Sequence, residues 1–258
     1  MKPNKASEEE SEASESEEES EASVSPKVAL GIVSLVGTLG KCTTNKAKME
    51  PIKLPYNELV VGMTGSGKSH YLTKHLETVV KNNPSLCKIF IICPTIEFNR
   101  TFLEWKLGTS KIIHFIGCHQ NNVDDELREI IGKCKTPTYK GSDKVFKTLV
   151  VLDDCAHGQD IKGKTSNLVE LAFTGRHIGV GLIVLTQQLT SISKAYRDNI
   201  TKLVTFYSTS KKDTRLLFND YLGNVSKEEC KQIQHKLKTT RFSHLVVSRI
   251  FPYEYTVL

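Results

Sequence analysis

One stretch, VVGMTGSGKSHYL at residues 60–72, constrains this chain more than any other. Gly62-Met63-Thr64-Gly65-Ser66-Gly67-Lys68-Ser69 has the pattern GxxxxGK[ST]. It follows the short apolar run NELVV and opens KSHYLTKHLETVVKNN, which runs at helical spacing and stops at Pro84. Strand, glycine loop and helix in that order is the context the motif requires. The glycines let backbone N–H groups wrap phosphates at the positive end of a helix. Lys68 is then placed to reach the β- and γ-phosphates, and Ser69 to hold Mg²⁺. The expected ligands are a nucleoside triphosphate and Mg²⁺, on a strand–loop–helix unit.

The rest of the chain repeats that unit. CKIFIICP, KIIHFIG, FKTLVVLDD, GVGLIVLTQQ, ITKLVTFYSTS and FSHLVVSRI are β-branched runs. SNLVELAFTG, DTRLLFNDYLG and SKEECKQIQHKLK read as helices between several of them, and residues 121–144 as a polar stretch with a short helix and a loop. Such alternation predicts an α/β fold of three layers, a P-loop NTPase with a mostly parallel central sheet.

The second half of the site is TLVVLDD. An apolar strand carries Asp153 and Asp154 to its C-terminal end, the edge at which open α/β sheets bind ligands. Asp153 is read as the acid that holds Mg²⁺ through water. Asp154 is read as the acid that orients or deprotonates the attacking water. No NKxD guanine reader follows the loop and no Arg-rich lid is visible, so hydrolysis is favoured over a switch GTPase or a small-molecule kinase. Asp124 and Asp125 lie at the start of helical text, where acids favour the helix dipole without any catalytic role.

Downstream comes FTGRHIGVGLIVLTQQLTSISKAYRDNITKLVTFYSTS. It reads as a Gly-Arg turn, an apolar strand ending in Thr-Gln, then Arg-Asp-Asn and a further strand. Gln187 falls at the C-terminal end of a strand expected beside the one bearing the two acids, where an amide can bond the attacking water. This order resembles the FtsK–HerA superfamily of DNA-pumping ATPases. Within it, the LDD, GRH, LTQ and R-x-N features resemble the poxvirus-type genome-packaging ATPases of large DNA viruses, virophages and Maverick/Polinton transposons. The resemblance covers roughly residues 54–247; the phosphate loop alone is widely shared, whereas the combined order and spacing is far more specific.

The resemblance implies a RecA-like core and a ring, usually hexameric, with ATP between subunits. Lys68 and Ser69 would be the loop pair, Asp153 the metal acid, Asp154 the catalytic acid and Gln187 the sensor. An arginine from the neighbouring subunit, Arg176 first and Arg197 second, would neutralise the transition state, an effect worth roughly 10³–10⁵ in rate. One departure stands out: many relatives in the wider superfamily carry Glu where this chain has Asp154, a shorter acid. The implied partners are double-stranded DNA and a capsid or portal-vertex protein. The implied location is the host cytoplasm or nucleus at the site of virion assembly, or the virion itself.

Charge is consistent with a polyanionic partner. Residues 1–27 hold nine Glu and three Lys, a net of −6, whereas the remaining 231 residues hold 32 Lys+Arg against 20 Asp+Glu, a net of +12. The acidic Ser/Glu-rich segment 1–27 is expected to be a disordered tail, 28–52 an arm or linker, and 53–258 the ATPase domain. The apolar run at residues 28–40 is too short for a membrane span, which needs about 20 residues, so no membrane role is expected. Lys162, Lys164, Lys236, Lys238 and Arg241 are candidates to line a basic lumen through salt-sensitive phosphate contacts. Seven cysteines without CxxC spacing, and an acidic N-terminus where a secretory signal would be basic, fit a reducing compartment. Two competing readings are an ATP-binding scaffold with little turnover and a helicase or recombination ATPase acting on single strands.

Overall fold

Residues 149–152 and 181–185 carry no polar side chain, which suits strands covered on both faces. The computed structural model describes residues 53–105, 108, 110–117, 122–134, 147–155, 163, 166–250 and 253–258. The expected tail (1–27) and arm (28–52) lie outside the described residues. The strands are β1 (Asn57–Val61), β2 (Lys88–Ile92), β3 (Ile113–Ile116), β4 (Thr148–Asp153), β5 (Val180–Thr186), β6 (Lys202–Phe206), β7 (His244–Ser248) and β8 (Glu254–Val257). The α-helices are α1 (Lys68–Asn82), α2 (Arg100–Leu103), α3 (Val123–Cys134), α4 (Asn167–Ile178), α5 (Lys194–Asp198), α6 (Lys211–Leu216) and α7 (Lys227–Thr239). A π-helical turn, Leu217–Tyr221, continues α6.

All eight strands form one sheet in the order β3-β2-β4-β5-β1-β6-β7-β8. The first six are parallel to their neighbours, while β7 runs antiparallel to β6 and β8 antiparallel to β7. The period-2 alternation of each strand divides its side chains between two cores. Val60, Leu149, Val151, Ile183 and Leu185 pack with Leu72, Leu76 and Val79 of α1 and with Phe102 of α2. Leu59, Val61, Val150, Leu152, Leu182 and Val184 pack on the other face with Leu127 of α3, Leu168 and Leu171 of α4, Tyr196 of α5 and Ile233 of α7. The three layers expected from the sequence are present.

Serine side chains start four of the helices. Ser166, Ser193, Ser210 and Ser226 each accept from the backbone N–H three residues on, satisfying a donor that the helix itself leaves free. Asp124 at the start of α3 also accepts from the backbone N–H and the side-chain amide of Asn167 (2.8 and 2.6 Å), joining the starts of α3 and α4.

One local expectation needs correction. Gly175-Arg176 is not a turn: α4 runs through it to Ile178 and stops at Gly179, which has φ 73°. A glycine is needed at 175 because a Cβ there would sit 2.6 Å from the carbonyl oxygen of Val180, where helix and strand come closest. The residues at 254–257, EYTV, form a last edge strand that the apolar runs do not announce; their burial alternates exposed and half-buried.

Candidate nucleotide site

The strand order brings the chemistry together. β5 lies between β4, which ends in Asp153, and β1, which runs into the glycine loop. The C-terminal ends of three adjacent parallel strands therefore deliver the acids, Gln187 and the loop to one edge of the sheet. The start of the loop is tied to the end of β5 by a hydrogen bond from the Gly62 N–H to the Thr186 carbonyl, 3.1 Å. Thr64, Gly65, Gly67, Lys68, Ser69, Asp153, Asp154 and Gln187 line a single cleft of about 330 Å³.

Gly67 caps α1 in the left-handed region, φ 102°, which a side chain would resist. Beyond it the free N–H groups of the first helical turn face the cleft. The Lys68 ammonium donates to the carbonyls of Gly62 (2.6 Å) and Met63 (3.1 Å). Burial pulls it below its ordinary range, against the opposing effect of Asp153 and Asp154. Met63 is partly exposed and its sulfur accepts from the Thr209 hydroxyl. Ser66 turns its hydroxyl beneath the loop, the one buried side-chain oxygen without a hydrogen-bond partner among the described residues.

Asp153 is buried, and among the described residues its carboxylate has one long hydrogen-bond contact, 3.5 Å from the side-chain amide of Asn99. Burial, opposed by Lys68 and reinforced by Asp154, pushes its carboxyl up to about 6. Asp154 takes φ 57°, an uncommon conformation for a residue other than glycine and one of the kinds of strain that gather at working sites. Its Oδ1 accepts from the Gln187 side-chain amide at 3.1 Å. The predicted water-orienting pair is thus in direct contact.

The hydroxyl of Ser69 and the carboxylates of Asp153 and Asp154 are hard oxygen donors lining one cleft, a set that fits Mg²⁺ better than a softer metal. Thr95, Asn99 and Thr101 also line the cleft, and no motif points to them. Their signal was positional: they follow β2, the neighbour of β4, at the edge where ligands bind.

The two arginines differ in their surroundings. Arg197 donates through Nη1 to the carbonyls of Ile192 (2.7 Å) and Leu189 (3.4 Å) of its own chain. Arg176 is exposed near the end of α4 and, among the described residues, donates only to the ring of its neighbour His177. Among the candidate lumen residues, Lys162 and Lys164 lie outside the described residues. Lys236 and Lys238 are exposed on α7, with the Lys236 ammonium on the Val257 carbonyl. Arg241 lies over the ring of Phe242 beside the phosphate loop.

Solved structures share this fold. The genome packaging NTPase B204 from Sulfolobus turreted icosahedral virus 2 in complex with ATP-gammaS aligns with a TM-score of 0.55 and 18% identity, over 78% of this chain and 95% of that one. The cytoplasmic domain of the Thermomonospora curvata type VII secretion ATPase EccC aligns with a TM-score of 0.56 and 15% identity, over 77% of this chain and 25% of that one. In sequence, the DNA packaging protein OPG160 of Variola virus is 27% identical over 157 residues, which are 60% of this chain and 54% of the relative. The Vaccinia virus (strain Copenhagen) protein of the same name is 26% identical over 157 residues, again 60% of this chain and 54% of the relative. The match thus spans about half the length of these relatives. Residues 45–249 match the family described as Poxvirus A32 protein, and the chain belongs to that family.

Proposed function

We propose that this chain is an ATP-hydrolysing motor that moves double-stranded DNA, packaging a viral or virus-like genome into a capsid. The observation that carries this reading is the meeting of Lys68, Asp153, Asp154 and Gln187 around one cleft at the sheet edge. The loop N–H groups and Lys68 bind the β- and γ-phosphates of ATP. Ser69 and Asp153 hold Mg²⁺, which when bound offsets charge on those phosphates. Gln187 and Asp154, already paired at 3.1 Å, hold the attacking water, and Asp154 takes its proton. The full set supports turnover over a scaffold that only binds.

The fold alone serves more than one cargo, since the relatives in structure include a secretion ATPase and a conjugation coupling protein. The name of the sequence relatives and the net charge of +12 over residues 28–258 support DNA. Binding through phosphates makes the contact nearly blind to sequence and weaker in salt. In the ring, a hexamer, Arg176 is the arginine offered to the neighbouring subunit's nucleotide, because Arg197 is held by its own chain. Lys236 and Lys238, with Lys162 and Lys164, are proposed for the lumen. Work would take place where virions assemble in the host cell, docked on a capsid or portal-vertex protein.

The test is steady-state ATPase activity with and without long duplex DNA, beside Lys68→Ala and Asp154→Asn. A DNA-coupled motor is stimulated by duplex, loses that turnover in both variants and loses stimulation as salt rises. Tight ATP binding with no turnover on duplex, on single strands or on a capsid would overturn the motor and leave a nucleotide-binding scaffold.

A further inference from the structure

The phosphate loop holds one end of a nucleotide, and the strand order says where the other end goes. The acids emerge from β4 and Gln187 from β5, both on the same side of β1. The γ-phosphate faces that side, so the nucleoside leaves the loop on the other, over the ends of β6 and β7. There Phe206 closes β6 and pairs in register with His244, which opens β7.

Just before β7 stands Phe242. It is half exposed, at 54%, and takes φ 62°, a conformation that a bulky side chain resists. The turn from Thr240 to Ser243, closed by the Ser243 N–H on the Thr240 carbonyl at 3.2 Å, sets the positive φ at its third residue, where glycine or asparagine is usual; a phenylalanine there is unfavourable, and nothing in the turn calls for its exposed ring. The turn is fixed by Ser243, whose buried hydroxyl donates to the Thr240 carbonyl at 2.8 Å. The result holds the Phe242 ring against the phosphate loop: a Cβ on Gly67 would lie 3.1 Å from its Cδ1. Gly67 is favoured by its φ, and a side chain there would also press on the ring. Over the ring lies Arg241, its guanidinium carbon 4.6 Å from the centroid. It is exposed, with no carboxylate partner among the described residues.

We propose that Phe242, with Arg241, is the platform on which the purine base of the bound nucleotide stacks. This rests on the nucleotide reading above and adds the subsite for the base. Arg241 moves off the ring as the base arrives and covers its outer face. Stacking on a flat π surface tolerates any base but rewards area, so purine nucleotides bind more tightly than pyrimidine ones, with little choice between ATP and GTP. Arg241, read from sequence as a lumen residue, belongs with the nucleotide instead.

Calorimetric titration with Mg·ATP, Mg·CTP and Mg·tripolyphosphate tests this on the full chain. Phe242→Leu keeps apolar bulk against Gly67 and removes the π face; Phe242→Tyr keeps both. The expected result is ATP affinity lowered roughly five- to hundredfold in Phe242→Leu and retained in Phe242→Tyr. Tripolyphosphate affinity is expected to be unchanged in both, and the preference for ATP over CTP lost only with Leu. Unchanged ATP affinity in Phe242→Leu would overturn the proposal. So would equal weakening of ATP and tripolyphosphate, which would make the ring a support for the loop alone. A different failure marks the nucleotide reading itself: wild-type protein that binds neither ATP nor tripolyphosphate, or Lys68→Ala that binds both as well as wild type. That result removes the base site along with it.

Discussion

Glu58 in β1 and Asp153 at the end of β4 are both buried carboxylates of one sheet, and their surroundings are opposite. Glu58 accepts from the hydroxyls of Tyr56 and Tyr71 (the latter at 2.8 Å), lies 2.9 Å from His75 Nε2 and 3.3 Å from the Lys202 ammonium. Burial alone would raise its pKa; His75 and Lys202 overcome that and hold it well below the usual carboxylate range. Asp153 has one long amide contact, and its carboxyl is pushed up to about 6. A carboxylate surrounded by donors is part of the frame. One left nearly bare at a ligand edge keeps its lone pairs for something that arrives later. The difference is the physical basis for the role proposed for Asp153, and it needs no relative.

The largest expected effect follows from removing the satisfied acid. Glu58→Ala removes the carboxylate on which Lys202, His75 and two tyrosine hydroxyls converge, and leaves Lys202 to the Tyr71 hydroxyl (2.9 Å) and His75 to that of Tyr56 (2.6 Å). Breaking a buried pair in this way costs about 3–5 kcal/mol, to be read from urea unfolding near neutral pH. A loss below about 1 kcal/mol would mean that the network contributes nothing net, and the contrast would fail.

Asp153→Asn should move stability in the other direction. The folded carboxyl titrates at about 6 against an ordinary value of 3.8. This group therefore favours the native state below the lower value and penalises it as pH rises through the upper one. The gap corresponds to roughly 3 kcal/mol at neutral pH. Without ligand, the asparagine variant is expected to be more stable than wild type by up to that amount, with no advantage below about pH 4. Its ATPase activity should be lost over the whole range. Glu58, with its lowered pKa, has the reverse sign: its contribution is present above the unfolded value and disappears as pH falls. Unfolding followed against pH for wild type, Glu58→Ala and Asp153→Asn separates the two. An Asp153→Asn protein less stable than wild type near neutrality would break the comparison.

The sequence reveals one of these acids and conceals the other, for a physical reason. Asp153, Asp154, Gln187 and the phosphate loop are legible because each stands at the end of a local apolar run, and parallel strands send such ends to one edge. Glu58 sits inside NELVV and looks like the polar start of a strand. Apart from Tyr56, two residues earlier, its partners come from α1 and β6, and nothing local brings Tyr71, His75 and Lys202 together. Gly175 is hidden in the same way. Read along the chain it punctuates, but in the fold it admits the Val180 carbonyl, and α4 continues past it. Phe242 and Asn99 owe their places to neighbours from other strands, as does β8, whose register comes only from β7.

A third buried acid tests the rule where the donors are neutral. Asp213, near the start of α6, accepts from the backbone N–H groups of Leu189 and Thr190, each at 3.1 Å. These residues follow directly from Gln187 and Gln188, so α6 holds the loop that carries the Gln187 amide. By the comparison above Asp213 is a frame acid, but its frame carries Gln187, for which the sensor role is proposed. Asp213→Asn keeps one acceptor and turns an NH₂ toward the other donor, at a cost of roughly 1–2 kcal/mol. Because the donors are neutral N–H groups rather than opposite charges, that loss should change little with salt. Its functional effect should be selective. ATP affinity, set by the phosphate loop, is expected to hold, while kcat falls because Gln187 no longer meets Asp154 in a fixed position. A rise in KM with kcat unchanged would place Asp213 in the frame alone and confine the working acids to the edge of the sheet.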